Sequence, residues 1–127
     1  MGVSKPIILD SNIVIYSGLT SHYELKEWLK SKDIAVSLIT KLEVLGYHSL
    51  NEKDQIYFES FFKKCELIAI DSLIIETAIS LRQLKSMSLG DAIIAATAKQ
   101  HRLSIVTVNI KDFKHIEDLE IINPISS

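Results

Sequence analysis

One cysteine, Cys65, is all the chain possesses, so no internal disulfide can close and the fold has to rest on packing instead. Proline occurs twice and glycine four times among 127 residues, a scarcity that excludes collagen-like, linker-rich and low-complexity chains. No apolar run approaches the roughly 20 residues that a membrane helix needs. MGVSKP passes straight into IILD, without the basic region, long apolar stretch and small-residue cleavage site of a secretory signal. Cytoplasmic residence without membrane association is the default expectation. Positive charge is not in excess either: 14 Lys and Arg stand against 16 Asp and Glu, a net charge of -2. A general basic surface for nucleic acid is therefore not expected, although a bound divalent cation can invert the field of an acidic pocket and draw phosphate to it.

What is present is a 47% hydrophobic, 24% charged chain of the size of one compact domain, expected to span residues 1–127. Short strand-like runs alternate with helical ones. PIILD (6–10) lacks polar alternation, as a strand buried on both faces does. A helical start follows at 12–17, and HYELKEWLKS (22–31) sets Leu25, Trp28 and Leu29 on one face. DIAVSLI (33–39) reads as a second strand, TKLEVLGYHSL (40–50) as a helix, and NEKDQIYFESFFKK (51–64) as another. The last repeats Tyr57, Phe58, Phe61 and Phe62 at helical spacing, a stripe expected to pack into the core. ELIAI (66–70) supplies a third strand, 72–85 and 88–101 two further helices, LSIVTVN (103–109) a fourth strand, and LEIINP (119–124) a short fifth. Strands separated by helices predict a three-layer α/β/α sandwich around a mostly parallel sheet of four or five strands.

That topology gives the acids a common address. Asp10 closes the first strand, Glu43 lies just beyond the second, Asp91 opens the helix leading to the fourth, and Asn109 and Asp112 follow that fourth strand. Open parallel sheets bind ligands beyond the carboxyl ends of their strands, so residues far apart in sequence are carried toward one cleft. Capping accounts for each acid taken singly. Thr40-Lys41-Leu42-Glu43 and Ser88-Leu89-Gly90-Asp91 both have capping-box spacing, Asp10 stands where it can cap the next helix, and Asn109 can cap a turn that leaves Asp112 solvated. Convergence is a different matter, because close carboxylates repel unless protons or cations compensate. Mg2+ or Mn2+ meets that need through hard oxygen ligands. The candidate ligands are Asp10, Glu43, Asp91, Asn109 and Asp112, with Ser11, Asn12 and Thr107 placed to hydrogen-bond and orient them. Lys41, Arg82 and Lys111 are candidate phosphate contacts, together with Lys85, Lys99 and Arg102, against the plainer reading of solvated helix charges.

In this order, and over nearly the whole chain, ILDSNIVIY around Asp10, SLITKLEVLG around Glu43, LGDAIIAATAKQHRLSIVTVNIKDF from Leu89 to Phe113 and the closing IINP resemble PIN-domain proteins. The likeness is to the small VapC-type toxin ribonucleases of toxin-antitoxin pairs, and the long third motif is its most specific part. The resemblance implies a metal-dependent endoribonuclease in which Asp10, Glu43 and Asp91 match the three central acids. The family's fourth acidic position falls on Asn109, with Asp112 nearby as the acid of an NxxDF variant, and this departure puts a second metal in doubt. A homodimer, and inhibition by a small antitoxin protein whose segment covers the active groove, are implied as well.

The chemistry expected of such a site is hydrolysis of a phosphodiester by a water that the metal orients and acidifies. Two rivals belong to other classes. An aspartyl-phosphate enzyme wants a second acid two residues after the first, where this chain has Asp10-Ser11-Asn12. A PIN-like module that binds RNA or protein without cutting is favoured by Asn109 and disfavoured by Asp10, Glu43 and Asp91. A non-toxin RNA-processing nuclease would carry the same acids. Histidines 22, 48, 101 and 115 lack zinc-motif spacing, and no serine, histidine or cysteine triad is visible.

Overall fold

The computed structural model describes residues 5–125. The ends of the expected domain, 1–4 and 126–127, lie outside the described residues, and with them most of MGVSKP. Five strands, β1 (Ile7–Leu9), β2 (Ile34–Ser37), β3 (Glu66–Ile68), β4 (Ser104–Val106) and β5 (Ile121–Ile122), form one sheet in the order β3-β2-β1-β4-β5. Every neighbouring pair is parallel, with Ile8 opposite both Ala35 and Ile105. Six helices connect them: α1 (Ser11–Ser17), α2 (Tyr23–Leu29), α3 (Leu38–Leu45), α4 (Glu52–Lys63), α5 (Ser72–Leu84) and α6 (Leu89–His101). The three-layer α/β/α architecture with a parallel central sheet follows.

Period-two alternation sorts the strand side chains between two cores. Ile8, Ala35, Ile68 and Ile105 meet α5 and α6 through Ile74, Ala78, Leu81, Ile94 and Ala95. On the opposite face Ile7, Leu9, Val36 and Val106 meet Ile13, Val14, Leu25, Leu29, Phe58 and Phe62 from α1, α2 and α4. All three residues of β1 are buried, which is why its sequence shows no polar alternation. Each such aliphatic side chain contributes roughly 1.5–3 kcal/mol when fully removed from water. In α6 the run Ala92–Ala98 is almost wholly buried, and its small side chains let the helix approach both the sheet and α5. None of the described helices is long and apolar enough to cross a membrane.

Around α3 the structure departs from the sequence reading. β2 ends at Ser37 rather than at residue 39, because the Ser37 hydroxyl accepts a hydrogen bond from the Ile39 N–H at 3.1 Å and turns the chain into a helix there. The helix predicted over 40–50 stops at Leu45. A Cβ on Gly46 would run into the Leu42 carbonyl oxygen, so the last turn closes on a glycine. Thr40 therefore caps nothing. It lies inside α3, fully buried, and its hydroxyl has no hydrogen-bond partner among the described residues. Thr40→Val, which keeps the shape and removes the unpaired hydroxyl, is expected to raise stability by about 1 kcal/mol. A chemical denaturation midpoint that fell in the variant would show that Thr40 has a partner in solution.

The aromatic stripe of α4 divides as its spacing predicts. Phe58 and Phe62 are buried, while Tyr57 and Phe61 are half-buried. The Tyr57 hydroxyl donates to the Ser17 carbonyl oxygen at 3.0 Å, tying α4 to the end of α1.

Candidate acidic active site

The sheet order reverses at β1. β2 and β3 extend to one side and β4 and β5 to the other, so the switch point, where open α/β sheets hold their ligands, lies beyond the carboxyl ends of β1 and β4. Asp10 occupies it. Its backbone N–H donates to the Val106 carbonyl at 3.1 Å, its Oδ1 accepts from the Asn12 N–H at 3.1 Å, and its Oδ2 accepts from the Thr107 hydroxyl at 2.7 Å. Thr107 is fully buried, and its Oγ1 also accepts from the Asn109 N–H at 3.0 Å. Two oxygens with two lone pairs each leave room on the Asp10 carboxylate beyond these bonds. Capping and ligation thus do not compete for the same atom sites.

Glu43 reaches the same edge from α3. Its Oε1 accepts from the Ser11 hydroxyl at 2.7 Å, and its carboxylate lies over the first turn of α6, so close that a Cβ on Gly90 would stand 3.1 and 3.2 Å from its two oxygens. Glycine at position 90 is what lets the helix carrying Asp91 come under Glu43, a role the sequence reading missed. In α6 the Ser88 hydroxyl caps the helix by accepting from the Asp91 N–H at 3.1 Å. No backbone N–H among the described residues donates back to the Asp91 carboxylate, so the Ser88 side chain is its one neighbour from the cap. Burial, then the negative charges of Asp10 and Asp112 and, more weakly, Glu43 push its pKa up to about 6 against a partial offset from Ser88. The carboxylates of Asp10, Asp112 and Glu43, from three other elements, therefore all act on Asp91.

Asp112 and Asn109 differ in placement. Asp112 is exposed at the end of a short 3-10 turn, Ile110–Asp112, and shares with Asp91, Ser88, Lys85 and Lys111 a depression of about 180 Å³. Asn109 is half-buried before that turn and makes no side-chain cap. Asn12 contributes its backbone N–H to Asp10. Of the six candidate phosphate contacts, Lys85 and Lys111 line the depression beside Asp91. Arg82 donates from Nε to the Met87 carbonyl at 3.0 Å and lines a different groove between α5 and α6. Lys41 lines another with Leu45, Glu59 and Phe62. On the far side of Glu43 the site opens into an apolar groove of about 360 Å³ walled by Ile15, Leu19, Tyr47, Leu50 and Phe58, a feature that the sequence pattern did not disclose.

The donor chemistry fits a hard divalent cation: carboxylate oxygens dominate, and the one ion pair among the described residues, Lys30–Glu27, involves none of them. The fit is one of chemistry and not of a closed cage, because no three acids, imidazoles or thiols among the described residues stand close enough together to form a preset metal cluster.

Fold and site together define an open α/β protein with an acidic crevice at its topological switch point. The chain belongs to the PIN-domain family, whose pattern matches residues 7–119. Among solved structures it is similar to a chain of a toxin-antitoxin complex from Klebsiella pneumoniae, at 33% identity and a TM-score of 0.78 over 95% of this chain and 99% of that one. It is similar to VapBC2 from Rickettsia felis bound to a DNA fragment from its promoter, at 27% identity and a TM-score of 0.75 over 92% of this chain and 97% of that one. A chain of FitAcB from Neisseria gonorrhoeae matches at 25% identity and a TM-score of 0.78, over 93% of this chain and 97% of the other. Among curated proteins none matches.

Proposed function

We propose that the chain is a divalent-metal-dependent endoribonuclease, the toxin of a type II toxin-antitoxin pair. The observation that supports this reading is that burial, with the charges of Asp10, Asp112 and Glu43, raises the Asp91 pKa to about 6, while no cation among the described residues pairs with these acids. Asp10, Glu43 and Asp91 would hold Mg2+ or Mn2+. When bound, the metal supplies an acidified, oriented water and a positive clamp on the phosphate. The chain's own part is positional. Thr107 and the Asn12 N–H fix the two oxygens of Asp10, and Ser11 fixes Glu43. Rigid α6 presents Asp91, and Lys111 and Lys85 stand on the rim where phosphate enters. RNA, rather than DNA, is the substrate on the strength of the family likeness. The relative described as a toxin-antitoxin complex supports a small antitoxin protein as partner, and the apolar groove beside Glu43 would be its seat; a cytoplasmic homodimer completes the reading on the strength of the family likeness.

Incubation of RNA with the purified protein in Mg2+, Mn2+ or EDTA tests the reaction. Cleavage is expected with metal and not in EDTA, and cleavage that persists in EDTA would sink the metal mechanism. A PIN-like module that binds without cutting is the second reading. Asn109 at the family's fourth acidic position favours it, and the placement of Asp112 weighs against it, because Asp112 lines the same depression as Asp91 and Asn109 does not. Asp112 is accordingly the better fourth ligand. In Mn2+ titration calorimetry Asp112→Asn is expected to weaken binding about tenfold or more, and Asn109→Ala only a few-fold. The reverse ranking would return the role to Asn109.

A further inference from the structure

A second cleft lies away from the acids, between α2 and α4. Its volume is about 510 Å³, and four lysines, Lys26, Lys30, Lys32 and Lys64, line it with no carboxylate among the lining residues. Tyr57 and Phe61, both half-buried, line it as well. On a chain of net charge -2, this concentrates positive charge where the rest of the surface would not place it. Lysines near helix carboxyl ends offset the helix dipole, which accounts for Lys30 and Lys64 one at a time. It does not account for four converging on one cleft that two aromatic residues also line. Lys30 is paired with Glu27 at 2.7 Å, and the other three have no carboxylate partner among the described residues. Lys26 instead stands 5.2 Å from the centre of the Tyr57 ring.

Cations around exposed ring faces are the means by which single-stranded nucleic acid is held without regard to sequence: phosphates meet the ammonium groups and bases stack on the rings. We propose that this cleft anchors a single-stranded segment of RNA at a distance from the cut. Ile34 lines the cleft and opens β2, whereas the acids stand at the carboxyl ends of the strands, so the two sites lie at opposite ends of the sheet. An RNA that fills both is several nucleotides longer than one that reaches the acids alone. The inference rests on RNA being the substrate, but it makes its own demand, because binding at the cleft needs neither metal nor catalysis.

The test uses the full chain in EDTA, where no metal-dependent cleavage occurs, and fluorescence anisotropy of a labelled 20-nucleotide oligouridine. For the double variant Lys26→Glu/Lys64→Glu, affinity is expected to fall tenfold or more, and the slope of log affinity against log salt by about 1.4, the effect of two lost single-strand phosphate contacts. Lys26→Gln/Lys64→Gln, which cannot introduce repulsion, is expected to move both quantities in the same direction. Both lysines are exposed, and circular dichroism melts would verify that the variants fold. Cys65 lines the same cleft and gives a direct report: the oligouridine should slow its alkylation by N-ethylmaleimide. Unchanged affinity and slope in both variants would overturn the proposal. So would protection of Cys65 by adenosine monophosphate but not by the oligouridine, since the occupant would then be a free nucleotide. Failure of the wild type to cut RNA with Mn2+ would overturn the nuclease reading and leave these binding results to stand or fall separately.

Discussion

Asp91→Asn is expected to lower metal-dependent RNA cleavage by about a thousandfold and, in the absence of metal, to give a protein that melts higher than the wild type at neutral pH. The two effects share a cause. Burial and the charges of Asp10, Asp112 and Glu43 raise the Asp91 carboxyl from 3.8 to about 6, so its ionised form is disfavoured in the folded state. A folded-state pKa above the unfolded one gives a contribution fully present below pH 3.8 and lost as pH rises through about 6. Above that window the wild type carries a charge that its site repels, and asparagine does not. Because the group is only half-buried, solvent screening limits the gain to about 1 kcal/mol, or roughly 3–5 °C in melting temperature for a chain of this size. The gap between variant and wild type should be near zero at pH 4, open toward pH 7 and close when saturating Mn2+ stabilises the wild type. Scanning calorimetry in EDTA and in Mn2+ measures it. Wild-type cleavage rates in the variant would remove Asp91 from the mechanism, and a gap independent of pH would remove the repulsion.

Much of this arrangement was legible because it depends on strand order. An acid that ends a buried run, as Asp10 ends IIL, has to stand at the carboxyl edge of a parallel sheet, and the alternation of strands with helices carries Glu43 and Asp91 to the same edge. Contacts that depend on side-chain reach were not legible. Thr40 and Ser37 are both hydroxyl residues near one helix start, and pattern alone does not say which of them turns the chain. The structure selects Ser37 because the strand pairing ends there, and Thr40 is left inside the helix. Gly90 looks like an ordinary weak point in a helical run until Glu43 is found lying on it. The proposed preference for Asp112 over Asn109 likewise depends on where a three-residue turn lies after β4, which no periodicity records. Lys26, Lys30, Lys32 and Lys64 drew no reading from the sequence because the cleft that unites them is made by two helices 20 and more residues apart in sequence.

Phe113→Ala is expected to cost about 3–5 kcal/mol, a third or more of the stability of a typical domain, and to lower the melting temperature by more than about 10 °C. Phe113 is fully buried in the core cluster that also holds Ile8, Ala92, Ile105 and Ile116, and it is the largest fully buried side chain among the described residues. Its position gives it a second consequence. The Phe113 N–H closes the Ile110–Asp112 turn by donating to the Ile110 carbonyl at 3.0 Å, so the ring is the anchor from which Asp112 is held toward Asp91. The aromatic residue of the NxxDF segment thus serves the site through packing, without touching a ligand. Phe113→Leu separates the two effects. Keeping an apolar side chain of reduced volume, it should cost under about 1.5 kcal/mol and stay folded at 25 °C. Mn2+ affinity should nevertheless fall a few-fold as the turn loosens. Equilibrium denaturation of Phe113→Ala and Mn2+ calorimetry on Phe113→Leu read the two quantities independently. A loss below 1 kcal/mol in the first would show that the pocket collapses around the missing ring, and wild-type affinity in the second would show that the turn holds Asp112 without it.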